Sequence, residues 1–78
     1  MWYLKAAELG NAEAQNKLGV LYADIENDYK EAIKWYKKAM EQDNPWAYRN
    51  LGICYREGNG VKKDLKKAEE LFSKASEL

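Results

Sequence analysis

The sequence predicts an all-α fold of stacked helix pairs, and three observations carry that reading. Ala14-x-x-x-Leu18-Gly19-x-x-Tyr22 recurs as Ala47-x-x-x-Leu51-Gly52-x-x-Tyr55, a shift of 33 residues (14 to 47) at every position. Asp28-x-Lys30-x-Ala32, followed by Trp35-Tyr36 and Lys38-Ala39, returns as Asp64-x-Lys66-x-Ala68, followed by Leu71-Phe72 and Lys74-Ala75, at a shift of 36 (28 to 64). Trp2-Tyr3 and Lys5-Ala6 precede Trp35-Tyr36 and Lys38-Ala39 by 33 (2 to 35). A period of this size belongs to helical repeats, in which each unit buries its apolar face only against its neighbours. The chain divides into one domain of three pieces: residues 1–11 as a partial unit, 12–44 as a first full unit and 45–78 as a second.

Each element follows from local signals. The first helix runs from about Trp2 to Leu9, and Gly10 suits the left-handed position that ends it. Asn11 caps a second helix from Ala12 to about Ala23, whose apolar positions Ala14, Leu18, Leu21, Tyr22 and Ile25 are spaced by three and four. Asp28 caps a third, to about Glu41, with Glu31 placed to complete a capping box on the Asp28 amide. That helix is expected to bury Ala32, Tyr36, Ala39 and Met40, with Ile33 and Trp35 on its flanks. Asn44 caps the fourth, where Pro45 at the first turn lacks an amide that has no partner there anyway. Its apolar face is Ala47, Leu51, Cys54 and Tyr55, and Gly58-Asn59-Gly60 stops it. Val61 is expected on the repeat junction, and Asp64 caps the fifth helix, which runs to the C-terminus. Gly19 and Gly52 sit inside helices, where glycine costs about 1 kcal/mol against alanine. Close approach of a neighbouring helix is the economical reason for both.

Composition narrows the function. Hydrophobic residues at 46% and charged residues at 33% are an ordinary globular mix. Thirteen basic residues balance thirteen acidic ones, so no whole-molecule field draws the chain to nucleic acid or to an anionic membrane. Neither is expected as a partner. Histidine is absent, which removes the commonest general base and metal ligand. Cys54 has no histidine to activate it and falls on the core face, so it reads as a buried structural thiol. Gly58-x-Gly60 follows no strand and lacks the lysine of a phosphate-binding loop, so a helix stop explains it. Lys62, Lys63, Lys66 and Lys67 are diluted by Asp64, Glu69 and Glu70 and read as a solvated helix face. No catalytic residue, metal ligand or cofactor-binding residue is therefore expected, and the chain is not read as an enzyme. A single cysteine and an N-terminus without a basic stretch and long apolar run give cytoplasmic residence as the expectation.

The set Ala-x-x-x-Leu-Gly-x-x-Tyr, then Gly58-x-Gly60-Val61-x-x-Asp64, then Lys67-Ala68 and Lys74-Ala75, resembles the Sel-one-like repeat (SLR), a TPR-like relative of the tetratricopeptide repeat. The resemblance covers essentially the whole chain. It implies a right-handed α-α superhelix, a solenoid of antiparallel helix pairs, here with five helices. It also implies an adaptor or scaffold that binds other proteins and performs no reaction. One departure stands out: Tyr22 to Asp28 is six steps, whereas Tyr55 to Asp64 is nine. The missing Gly-x-Gly turn makes the first unit resemble the shorter tetratricopeptide form there.

In such a fold the first helix of each pair lines the concave face. The stripe beside the core positions is Glu13, Asn16, Lys17, Val20 and Ala23 or Asp24 on one such helix and Trp46, Arg49, Asn50, Ile53, Arg56 and Glu57 on the next. From it, Asn16, Val20, Trp46, Arg49, Asn50, Ile53 and Arg56 are the candidate partner-binding residues. Arginine offers a planar fork of donors, asparagine a donor and an acceptor, and the apolar members contact area. The first functional expectation is a non-catalytic module that binds a peptide or protein segment on this face. The alternative is a structural, self-associating segment whose partner is another copy of itself, a homodimer through the N-terminal helix, because Trp2, Tyr3, Leu4, Ala6, Ala7 and Leu9 make that helix apolar over more than one face and Trp2, Tyr3 and Leu4 are available for the contact.

Overall fold

The computed structural model describes residues 2–78, with side chains from Leu4 onward. Among the described residues there are five α-helices and no strand: α1 (Trp2–Glu8), α2 (Ala12–Asp24), α3 (Tyr29–Met40), α4 (Pro45–Glu57) and α5 (Leu65–Glu77). The helices form a flat slab of 34 × 27 × 13 Å. α2 packs along α3 and α4 along α5 as the two hairpins; α1 lies against α2, and α4 crosses onto α3 to join the units.

The four expected caps are in place. Asn11, Asp28, Asn44 and Asp64 accept from the backbone amides of Ala14, Glu31, Ala47 and Lys67 at 2.9, 3.2, 3.1 and 3.0 Å. The capping box at Asp28 does not close. The Asp28 amide donates instead to the Tyr22 carbonyl at 2.9 Å, and Glu31 reaches Lys34 at 3.6 Å. The Asp64 amide makes the same bond to the Tyr55 carbonyl, also 2.9 Å. One hydrogen bond thus anchors both turns despite their different lengths. The longer turn fits three extra residues between the ends of that bond, and Gly60 comes to rest against Tyr29 and Ile33 of α3.

Both junctions between one hairpin and the next use a single geometry. Gly10 (φ 94°) and Asp43 (φ 57°) take the left-handed position, and the following Asn11 and Asn44 amides reach back to the Ala6 and Ala39 carbonyls. The Gln15 amide donates to the Ala7 carbonyl at 3.0 Å, and the Gln42 amide donates to the Gly10 carbonyl at 2.7 Å and to Gln15 Oε1 at 3.2 Å. This side-chain chain ties the two junctions together.

The main core is the seam between the units: Ala23, Ala32, Ile33, Tyr36, Leu51, Cys54 and Leu71, with Val61 packed on it as expected. A second cluster of Ala7, Ala14, Leu18 and Trp35 holds α1 to the first hairpin. Two expectations need correction. Trp35 and Ile33 are both 6% exposed, full core members rather than flanks, because α1 on one side and the long turn on the other cover them. Ile25 is 69% exposed, since the helix breaks there to make the short turn.

Candidate functional site

The first helices of the two pairs, α2 and α4, run side by side and leave a groove of about 650 Å³ between them. Glu13, Lys17 and Val20 line it from α2, and Trp46 lines it from α4. Asn16 and Asn50 meet on it: the Asn50 amide donates to Asn16 Oδ1 at 2.8 Å. That bond uses one donor and one acceptor. It leaves the Asn16 amino group and the Asn50 carbonyl oxygen as a further donor and acceptor on one groove-lining pair. Trp46 is 59% exposed, a large indole held at the rim by the Asn44-capped first turn. Glu13 and Lys17, one turn apart on α2, give that wall both signs of charge.

The seven-residue stripe expected from the sequence is split by the packing. Asn16, Val20, Trp46 and Asn50 share the groove. Arg49 does not; it lies over the Trp46 ring at 5.9 Å and lines a different depression, against α5. Ile53 is half-buried and outside the groove lining. Arg56 pairs with Glu57 at 3.2 Å and sits 5.8 Å from the Phe72 ring. The physical reason is that helices stacked by translation face each other with opposite sides. The 33-residue shift carries the side of α2 that looks toward α4 onto the side of α4 that looks away from α2. Asn44, read from the sequence only as a cap, also lines the groove. Of the N-terminal set, Leu4 lines a shallow depression with Leu18, Leu21, Tyr22 and Ile25, while the side chains of Trp2 and Tyr3 lie outside the described residues.

Cys54 is buried in the core, where burial pushes its thiol up from the ordinary range. The same cause pushes the Tyr36 phenol well above its ordinary range, with the neighbouring Cys54, Asp24 and Tyr29 adding to it. Both groups are neutral at pH 7 and sit on the seam, away from the groove. Among the described residues no group of three or more His, Cys, Asp or Glu is placed to hold a metal ion. Among the described residues no helix is long and apolar enough to cross a membrane.

The repeat now has a counterpart outside this chain. The family model of the Sel1 repeat matches residues 1–11, 12–44 and 47–78. This chain belongs to the Sel1 repeat family. Two solved Sel1-type structures are similar. One is a protective antigen present in uropathogenic Escherichia coli strains and displaying an SLR fold, at 43% identity and a TM-score of 0.91, covering 97% of this chain and 17% of that one. The other is a Sel1 repeat protein from Oxalobacter formigenes, at 43% identity and a TM-score of 0.85, covering 97% of this chain and 32% of that one. The chain thus spans between a sixth and a third of the length of these two proteins. Among curated proteins none matches the sequence. Sel1 repeats build all-α solenoids, and a protein-binding scaffold role is typical of the family.

Proposed function

We propose that this Sel1 repeat chain is a non-catalytic module that holds an extended peptide or protein segment in the groove between α2 and α4. The observation that carries the reading is the Asn16–Asn50 pair on the groove floor. A donor and an acceptor left on adjacent carboxamides match the alternating C=O and N–H of a peptide backbone, whatever its side chains. Trp46 and Val20 supply apolar contact beside them, and tryptophan is among the residue types that dominate interface energies. The volume of about 650 Å³ suits a few residues of chain. The absence of histidine and the buried neutral Cys54 support a role without chemistry.

The test begins with selection of peptides from a random library on the immobilised protein. Selected peptides are then measured against Trp46→Ala and Asn50→Ala, with thermal melts to confirm folding. Each variant is expected to weaken binding roughly tenfold or more, the size of one lost anchor. Peptides whose affinity ignores both substitutions would show that recognition lies on another face.

A second reading rests on the depression of about 320 Å³ at the N-terminal end, where Leu4, Leu18, Leu21 and Tyr22 meet the exposed Ile25. Such a patch suits a second copy of the chain. Light scattering at high concentration, with Leu4→Glu as the control, separates it from the groove reading.

A further inference from the structure

α3 lends no residue to the α2–α4 groove, and its own outer face has a single chemistry. Every exposed residue of the helix is a lysine: Lys30, Lys34, Lys37 and Lys38. Spaced by three and four, they stand on one stripe. With Ile33 and Glu41 they line a depression of about 590 Å³. Trp35 packs with Ala7 of α1 on one side of α3, and Tyr36 with Leu71 of α5 on the other. The stripe therefore lies open between two repeat neighbours, not at an end of the stack.

The second unit shows which of these lysines the repeat itself accounts for. The 36-residue shift (30 to 66) carries the four to Lys66, Glu70, Ser73 and Lys74. Lys30 and Lys38 are thus repeat positions, whereas Lys34 and Lys37 are additions of the first unit. The additions work against the helix. Lysines three and four apart repel, and Lys30 in the first turn opposes the helix dipole. Among the described residues only Lys34 of the four has a carboxylate partner, Glu31 at 3.6 Å. Two of the ammonium groups are nonetheless held in place. Lys34 and Lys38 Nζ stand 5.7 and 5.5 Å from the centre of the Trp35 ring, which the core fixes at 6% exposure. Charges that are already positioned lose less freedom when an anion binds. The second unit lacks this device too, since Leu71 stands in the place of Trp35.

We propose that the lysine stripe of α3 docks an extended acidic segment of a partner protein, with carboxylates at alternate positions meeting Lys30, Lys34 and Lys38. At 1.5 Å per residue the three lysines follow one another at about 6 Å along the helix. An extended chain puts every second side chain on one face at about 6.6 Å, so acids at alternate positions keep step with them. An amphipathic helix is a poorer occupant, because it needs apolar area to cover and Ile33 beneath the lysines is already 6% exposed. The basic surface is also short. Glu41 stands at one end, and α5 has Glu70 where α3 has Lys34. A nucleic acid or an anionic bilayer extends well past the roughly 12 Å of the stripe and gains little there.

The probe is a blocked eight-residue peptide of alternating aspartate and serine, titrated at low salt into the isotope-labelled protein with the backbone amides followed by NMR. Saturable shifts are expected along residues 30–38, with affinity falling as salt is raised. Lys34→Glu with Lys37→Ser gives α3 the pattern of α5. It relieves repulsion between lysines, so the melt is expected to stay level or rise, and binding is expected to weaken roughly tenfold or more. Lys67→Glu with Lys74→Ser makes the same charge change on α5 and is expected to leave the affinity within about twofold, well under the tenfold that 1.4 kcal/mol represents. Trp46→Ala in the α2–α4 groove is expected to leave it unchanged. The proposal is overturned by no saturable shift, by an equal loss in the α3 and α5 variants, or by shifts at Glu13, Lys17 and Val20 instead. Tighter binding of a single-stranded oligonucleotide or of phosphatidylserine vesicles to the same lysines would overturn it as well. So would shifts along the stripe on concentrating the protein alone, because a second copy would then supply the acids. Loss of the stripe reading on any of these grounds leaves the peptide-library test of the α2–α4 groove to stand separately.

Discussion

Gly19 and Gly52 occupy equivalent helix positions, yet their surroundings differ in what can yield. A β-carbon on Gly19 would stand 2.6 Å from Tyr36 Cε1 and 3.0 Å from the Ala32 carbonyl oxygen. The Tyr36 ring is locked in the core, and the carbonyl belongs to a helix backbone. A β-carbon on Gly52 would stand 2.9 Å from Phe72 Cε1, but that ring is half-buried and borders a surface depression. Alanine regains about 1 kcal/mol of helix propensity at either site. Gly52→Ala is therefore expected to change stability by less than about 0.5 kcal/mol, since the propensity gain offsets a small ring movement. Gly19→Ala is expected to cost about 1–3 kcal/mol of overpacking less that gain, a net loss of roughly 1–2 kcal/mol. Urea unfolding of the two variants gives the order directly; equal losses would mean that the rings relax alike. The sequence already showed that something approaches both glycines closely. It did not show that one neighbour is fixed and the other free, because that depends on whether a further helix covers the ring.

At the level of elements, helix positions and caps were legible because each rests on residues within one turn. Asn11, Asp28, Asn44 and Asp64 all cap where the pattern placed them. The turns were less legible, because their shape is set by what they rest on. The shorter turn left Glu31 outside a capping box, since the Tyr22 carbonyl already holds the Asp28 amide. The candidate groove was half legible: the stripe of positions was visible, but the side facing the next helix was not, so Arg49 and Arg56 were grouped with Asn16 and Asn50. The longer turn offers a test of what its extra residues do. Gly60 has φ 75° and touches Tyr29 and Ile33, and Val61 packs on the main core. Deleting Gly58, Asn59 and Gly60 gives the second unit the spacing of the first, and the Asp64 amide can still reach the Tyr55 carbonyl. The shortened protein is expected to fold with unchanged helix content. It is expected to lose about 1–3 kcal/mol because Ile33 is uncovered. Circular dichroism and a denaturant melt measure both; loss of helix content would mean that the turn's length is itself required for the hairpin.

On the scale of the whole molecule, the seam between units decides how the protein unfolds. Tyr36 of the first unit and Cys54 of the second lie in one buried cluster, so neither hairpin keeps its core if the other opens. A single cooperative transition is the expectation. The same seam makes stability depend on pH in the alkaline range. Burial raises both the Cys54 thiol and the Tyr36 phenol above their ordinary values. In the unfolded chain they lose their protons near pH 8.5 and 10, while the folded chain still holds them. The unfolded state then binds fewer protons than the folded state, so stability falls as pH rises. It is fully present below about pH 8.5, declines first through Cys54, and declines further above about pH 10 through Tyr36. The melting temperature of the parent is expected to drop between pH 8 and pH 10. In Cys54→Ala that drop is expected to shrink, even though the variant starts from a lower melting temperature because of the space left in the core. Tyr36→Phe, by contrast, should keep the drop below pH 10 and flatten the curve above it. A parent whose melting temperature is the same at pH 8 and pH 10 would mean that the thiol reaches water in the folded state, and that the seam is looser than its burial indicates.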